Sequence, residues 1–137
     1  MIHLIYISVA TKTMSEDDLI SLLKQSRERN ERQDVTGMLL FKDGSFLQVL
    51  EGTEKDVDQI YRSICLDKRN AGHYLIERKE IDERNFPDWR MGFENVSNRN
   101  LGELEGFSAL LDQELAPEEI GEHKDLAVKL VLSFKNA

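Results

Sequence analysis

Cysteine is almost absent from this 137-residue chain: Cys65 is the only one, so no internal disulfide can form. A single thiol fits a reducing compartment, and the chain is expected to be cytoplasmic. Basic residues are also in deficit. Lys and Arg total 18 against 26 Asp and Glu, a formal net charge of -8. That sign argues against a nucleic-acid surface, where phosphate neutralisation needs a basic face. Arg27, Arg29 and Arg32 lie close together but read as a solvated helix end. No apolar run is long enough to span a bilayer, so no membrane partner is expected. Met1–Tyr6 has no basic n-region or long h-region and reads as a strand rather than a leader.

Familiar chemistry is missing as well. The glycines form neither a dinucleotide fingerprint nor a P-loop, and no serine stands in G-x-S-x-G. His3, His73 and His123 are too far apart in sequence to suggest a metal site. Cys65, beside Ile64 on a helical stripe, reads as a core or half-buried thiol. The acidic residues at helix starts and over 77–83 read as solvated faces. Hydrolytic and metal-dependent chemistry are therefore poorly supported.

What remains is an ordinary globular balance, 40% hydrophobic and 32% charged, sufficient for one domain with a real core. Ile2 to Val9 is nearly continuous in apolar residues, as suits a central strand; Tyr6 and Ser8 share a face with Ile2 and Leu4. Ser15-Glu16-Asp17-Asp18 has the form of a capping box, and Leu19, Leu22, Leu23 and Ser26 follow at helical spacing, with Asn30 near the end. Val35 to Phe41 reads as a second strand. An Asp43-Gly44 turn leads to a third strand that ends at Glu51-Gly52. Thr53-x-x-Asp56 opens a second helix with the stripe Val57, Ile60, Tyr61 and Ile64, and Lys68 and Arg69 are placed at its C-terminal end, where the helix dipole favours cations. A strand is expected over Tyr74 to Ile81 and a short one around Trp89 to Val96.

This order, strand-helix-strand-strand-helix-strand plus one strand, is that of an α+β, ferredoxin-like βαββαβ(β) sheet with two helices on one face. Pro117 is well placed to open a last helix, whose stripe of Leu126, Ala127, Leu130, Val131 and Phe134 would cover the other face. The expected division is a domain over 1–97 and a C-terminal helical extension over 98–137.

The most informative residue is Gln48. It shares a strand face with Phe46 and Leu50, where an apolar residue would serve a plain strand better. A buried amide left without partners costs about 1–3 kcal/mol. One end of the amide donates and the other accepts, so inverting it reverses the polarity of every bond it makes. Tyr6, Asn30, Trp89 and Met91 stand out beside it. Taken singly, each has a plain reading: Tyr6 as a core tyrosine with its hydroxyl satisfied, Trp89 and Met91 as packing on one face of a strand, Asn30 as a C-cap.

Together with their neighbours these residues resemble the BLUF domains, which sense blue light using FAD. The resemblance covers about residues 2–93. It is carried by Leu4-Ile5-Tyr6-Ile7-Ser8, Ser26 to Asn30, Val35-Thr36-Gly37-Met38-Leu39-Leu40-Phe41, Gly44 to Gly52, Asp67-Lys68-Arg69 and Phe86-Pro87-Asp88-Trp89-Arg90-Met91. It implies a flavin between the two helices, gripped by Leu22 and Ile64, with Asn30 at the polar edge of the ring. Gln48 would bridge Tyr6 to the flavin, bordered by Ser8 and by Trp89 or Met91. Asp67 and Arg69 match the ribityl-phosphate end. FAD is the implied cofactor. FMN or riboflavin stand as alternatives, because Arg29, Ser63, Asn70 and Arg90 depart from the usual pattern.

The expected function is that of a blue-light photoreceptor and not an enzyme. It would signal through its C-terminal strand and helices to an effector protein, or through its own assembly as a homo-oligomer. Two other readings stay open: a flavin-binding module without photochemistry, and a ferredoxin-like enzyme of the acylphosphatase type. The absence of glycine between Val9 and Ser15 counts against the second.

Overall fold

The computed structural model describes residues 1–42 and 44–95, with Val128. Seven elements follow in order: β1 (Ile2–Ala10), α1 (Glu16–Arg32), β2 (Thr36–Lys42), β3 (Ser45–Gly52), α2 (Glu54–Leu66), β4 (Asn70–Glu80) and β5 (Gly92–Asn95). They form one mixed sheet in the order β4-β1-β3-β2-β5. β3 pairs antiparallel with both β1 and β2, and β5 joins β2 in parallel. This is the expected α+β, ferredoxin-like arrangement.

Both helices begin where their capping residues stand. Ser15 accepts from the Asp18 N–H while the Asp18 carboxylate accepts from the Ser15 N–H. Thr53 accepts from the Asp56 N–H. The connection from β2 to β3 turns at Gly44, whose φ of 93° is in the left-handed region that side chains disfavour. Leu19, Leu22, Leu23, Ser26 and Asn30 form the buried stripe of α1, and Val57, Ile60 and Ile64 that of α2. The two stripes meet Ile2, Leu4, Tyr6, Leu39, Phe46 and Leu50 on one face of the sheet. On the opposite face Ile5, Ile7, Met38, Leu40, Leu47 and Val49 are buried as well. Apart from Val128, the helix expected from Pro117 to about Phe134, and its cover for that face, lie outside the described residues.

Several expectations are corrected. β4 starts at Asn70, four residues before the expected Tyr74, because its first residues pair with the end of β1. Helix α2 stops at Leu66 with no basic residue in its last turn. Arg69 instead folds back on Asp67, with Nη2 to Oδ2 at 2.5 Å. Cys65 is exposed rather than half-buried. Asn30 is not a cap: α1 runs on to Arg32, Gln33 is the C-cap, and Asn30 is fully buried. Nor is the arginine cluster simply solvated, since Arg27 donates from Nε to the Met91 carbonyl at 3.0 Å.

Candidate functional site

The register of the central strands assembles the site. Tyr6 lies directly across from Gln48, and Gln48 directly across from Leu39. All three side chains therefore point to the helix-covered face. The Tyr6 hydroxyl, wholly buried, donates to Gln48 Oε1. Gln48 Nε2 in turn donates to the Met91 sulfur at 3.6 Å. A thioether is a weak acceptor and cannot donate. The chain of bonds thus has one sense, from phenol to amide oxygen and from amide nitrogen to sulfur.

Trp89 and Met91 are two apart yet do not share a face. Both precede β5, in irregular chain where side-chain alternation does not apply. Met91 is buried against Gln48. Trp89 stacks on Phe86, with ring centroids 5.7 Å apart, and lies over Gly92 beside Met38. The expectation of a common strand face is corrected on that ground.

A narrow cleft between α1 and α2 opens onto Gln48. Leu22 and Ile64 line it from the two helices, with Ser26, Arg29, Leu39, Phe46, Asp67 and Asn70 around them. Asn30, one turn beyond Ser26, donates from Nδ2 to the Arg90 carbonyl at 2.5 Å, while its Oδ1 is buried without a partner. Arg29 Nε and Asn70 Oδ1 are likewise buried and unpartnered. Groups of this kind normally have hydrogen-bond partners. An isoalloxazine offers both donors and acceptors along its pyrimidine edge and an apolar surface elsewhere, so the residues present fit a flavin. Ser8 is buried with Oγ unpartnered. Asp67 belongs to the cleft wall, and the adjacent Arg69 guanidinium holds its carboxyl below the usual range.

Sequence reasoning missed part of this wall. Ser26 was legible as a helical position, midway between Leu22 and Asn30. Phe46 was legible on the Gln48 face from strand alternation, whereas Leu39 follows only from the strand register. Asn70 stood out only as a departure from the family pattern, because its place in the wall depends on where β4 begins.

Burial pushes the Tyr6 phenol well above its ordinary value, with the nearby Arg29 cation opposing the shift. Tyr61, whose ring centroid is 4.8 Å from that of Tyr6, is pushed up to about 12 by burial, with Cys65 adding to the shift. Tyr6 therefore holds its proton at neutral pH. Above the ordinary tyrosine value of ~10 the unfolded chain loses protons that the folded chain keeps, so stability falls as pH rises. Denaturant midpoints at pH 8 and pH 11 should show this loss, and Tyr6→Phe should reduce it. An equal loss in both proteins would contradict the assignment.

The comparisons with known proteins agree with the geometry. Residues 1–92 match the family model described as BLUF, sensors of blue-light using FAD. Over 89 residues the chain is 35% identical to the photoactivated adenylate cyclase subunit beta-like protein FB of Euglena gracilis, covering 64% of this chain and 10% of that protein. It is 45% identical over 60 residues to the blue light- and temperature-regulated antirepressor BluF of Escherichia coli (strain K12), covering 44% of this chain and 13% of that one. The dark-state structure of BlrB, a BLUF protein, superposes with a TM-score of 0.71 at 29% identity, covering 93% of this chain and 96% of BlrB. The chain thus spans only a small part of the curated relatives it matches. With the tyrosine and the glutamine paired beside the cleft, and with residues 1–92 matched, this chain belongs to the BLUF family, the sensors of blue light using FAD.

Proposed function

We propose that the chain is a flavin-dependent blue-light switch whose moving part is the Gln48 amide. The observation that carries the proposal is the buried Tyr6–Gln48–Met91 chain of hydrogen bonds at the mouth of the cleft. Leu22 and Ile64 would hold the ring, with Asn30 Oδ1 accepting from its polar edge. Arg29, Asp67, Arg69 and Asn70 would face its ribityl chain, and Ser8 would border the glutamine. When bound, the flavin supplies absorption of blue light and, once excited, oxidising power.

The rest is the work of this chain. Tyr6 is the nearest phenol to the amide and is held neutral, so it can give up an electron and its hydroxyl proton and later take both back. During that interval Gln48 loses the donor that holds its Oε1. Inversion would then place Nε2 toward the phenol oxygen and Oε1 toward the Met91 sulfur, which has no proton to offer. In the dark such an inversion exchanges the O–H···Oε1 bond for an Nε2–H···Oη bond and leaves Oε1 facing a sulfur that cannot donate, at about 1–3 kcal/mol for each buried group left unpaired. The dark arrangement of the amide is therefore favoured by these two contacts.

Output would leave through Met91, because the next residue begins β5, which pairs with β2. The division into a sensor over 1–97 and an extension over 98–137, a cytoplasmic setting and a homo-oligomeric state belong to this proposal. So does the target, either an effector protein or the protein's own assembly. Cyclase names among the relatives suggest an effector of that general kind, while the domain itself is a sensor module. No helix among the described residues is long and apolar enough to cross a membrane.

Absorption spectra of the purified protein before and after blue light test the reading. A flavin spectrum that shifts reversibly to the red is the expected result. A flavin spectrum that only bleaches would identify a module without photochemistry. A colourless protein that cannot be loaded with flavin would reject flavin binding altogether.

A further inference from the structure

Glu51 lies three residues after Gln48 in β3, so its side chain is on the opposite face of the sheet. It is fully buried. A carboxylate in such a place is costly unless hydrogen bonds satisfy it. Among the described residues, its three side-chain hydrogen bonds all come from two consecutive residues. Oε2 accepts from the Asn85 N–H at 2.8 Å and from Asn85 Nδ2 at 3.0 Å, and Oε1 accepts from the Phe86 N–H at 2.7 Å. Arg84 reinforces the attachment by donating to the Glu51 carbonyl, to Thr36 Oγ1 and to the Asp34 carbonyl.

The far end of this segment is also tied. The Gly37 N–H donates to the Trp89 carbonyl at 2.9 Å, Asn30 to the Arg90 carbonyl and Arg27 to the Met91 carbonyl. The path from Phe86 to Met91 is therefore a short span fastened at both ends. Bringing Trp89 to the place of Met91 needs a slide of two residues, about 6–7 Å of extended chain. That slide cannot occur while Asn85 and Phe86 stay on the carboxylate.

We propose that Glu51 is a positioning residue, which sets the register of residues 85–91 and so selects Met91 rather than Trp89 as the neighbour of Gln48. It acts through the backbone at Asn85 and Phe86 and does not touch the cleft. The inference rests on the switch described above only for its consequence. The clamp itself is visible without flavin.

Trp89 is the only tryptophan, so its emission reports on this segment alone. In Glu51→Gln one oxygen is replaced by an NH2 group that faces N–H donors. Acrylamide quenching of Trp89 in the flavin-free, full-length variant should rise about twofold through local opening, with far-UV circular dichroism unchanged; a fall, with Trp89 in the buried place of Met91, would equally show the register released. Ser15→Ala, which weakens the α1 cap instead, should leave quenching as in the parent protein. That control separates the clamp from a general loss of stability. Should Glu51→Gln fail to fold, Asn85→Ala removes one of the three bonds and should give a smaller rise in the same direction. Unchanged quenching in the folded Glu51→Gln protein, or in Asn85→Ala where that stands in for it, overturns the proposal. So does an equal rise in Ser15→Ala. If quenching rises as expected but the parent protein shows no red shift under blue light, the clamp stands and the photosensor reading fails.

Discussion

Tyr6→Phe and Gln48→Leu are each expected to bind flavin and to abolish the light-induced red shift completely. Phenylalanine removes the hydroxyl that donates to Gln48 Oε1 and keeps the ring that packs beside Tyr61. Leucine removes both ends of the amide, so nothing is left to invert. Neither change touches the cleft walls contributed by Leu22, Ile64 and Asp67, and flavin should therefore still enter. Each leaves one buried partner unsatisfied, the amide oxygen in the first case and the phenol in the second. The cost to stability should be about 1–3 kcal/mol in each. Difference spectra under blue light at matched flavin loading provide the measurement. A normal reversible shift in either variant would remove Tyr6 or Gln48 from the mechanism.

Gly37→Ala is expected to have the largest effect on stability. A Cβ at this position would sit 2.0 Å from the Val49 carbonyl oxygen, a backbone atom of the central strand β3 that cannot turn aside. Gly37 also donates its N–H to the Trp89 carbonyl, so any retreat of β2 would disturb the segment that carries Met91. The clash has to be relieved by displacing paired strands, and overpacking of this kind costs roughly 3 kcal/mol or more. Loss of soluble protein, or a melting temperature lower by on the order of 10 °C, is the expected outcome. A stable Gly37→Ala protein with an unchanged melting temperature would show that β2 has freedom the described sheet does not provide.

The ferredoxin-like order of elements was legible because its signals are local. Ser15 and Thr53 stand where the helices start, Gly44 sits in the turn it was assigned to, and the apolar stripes of α1 and α2 are those the helical period picks out. The value of Gln48 was legible for a similar reason, since a polar residue at an inward strand position is anomalous whatever surrounds it. The surroundings of Trp89 were not. Spacing of two implies a shared face only within a strand, and this segment is held by Asn30, Arg27, Gly37 and Glu51 from three other elements. Glu51 was legible only as the end of the third strand, because nothing nearby in sequence reveals that Asn85 and Phe86 will satisfy its carboxylate.

The chain by itself determined the strands and helices and the place of the amide on an apolar strand face, because period, caps and turns depend on neighbours a few residues away. Only the tertiary structure decided that Tyr6 and Gln48 are bonded, that Met91 and not Trp89 meets the amide, and that a buried carboxylate holds the connecting segment. Those outcomes depend on strand register and on hydrogen bonds between residues thirty to sixty positions apart, which no local pattern encodes.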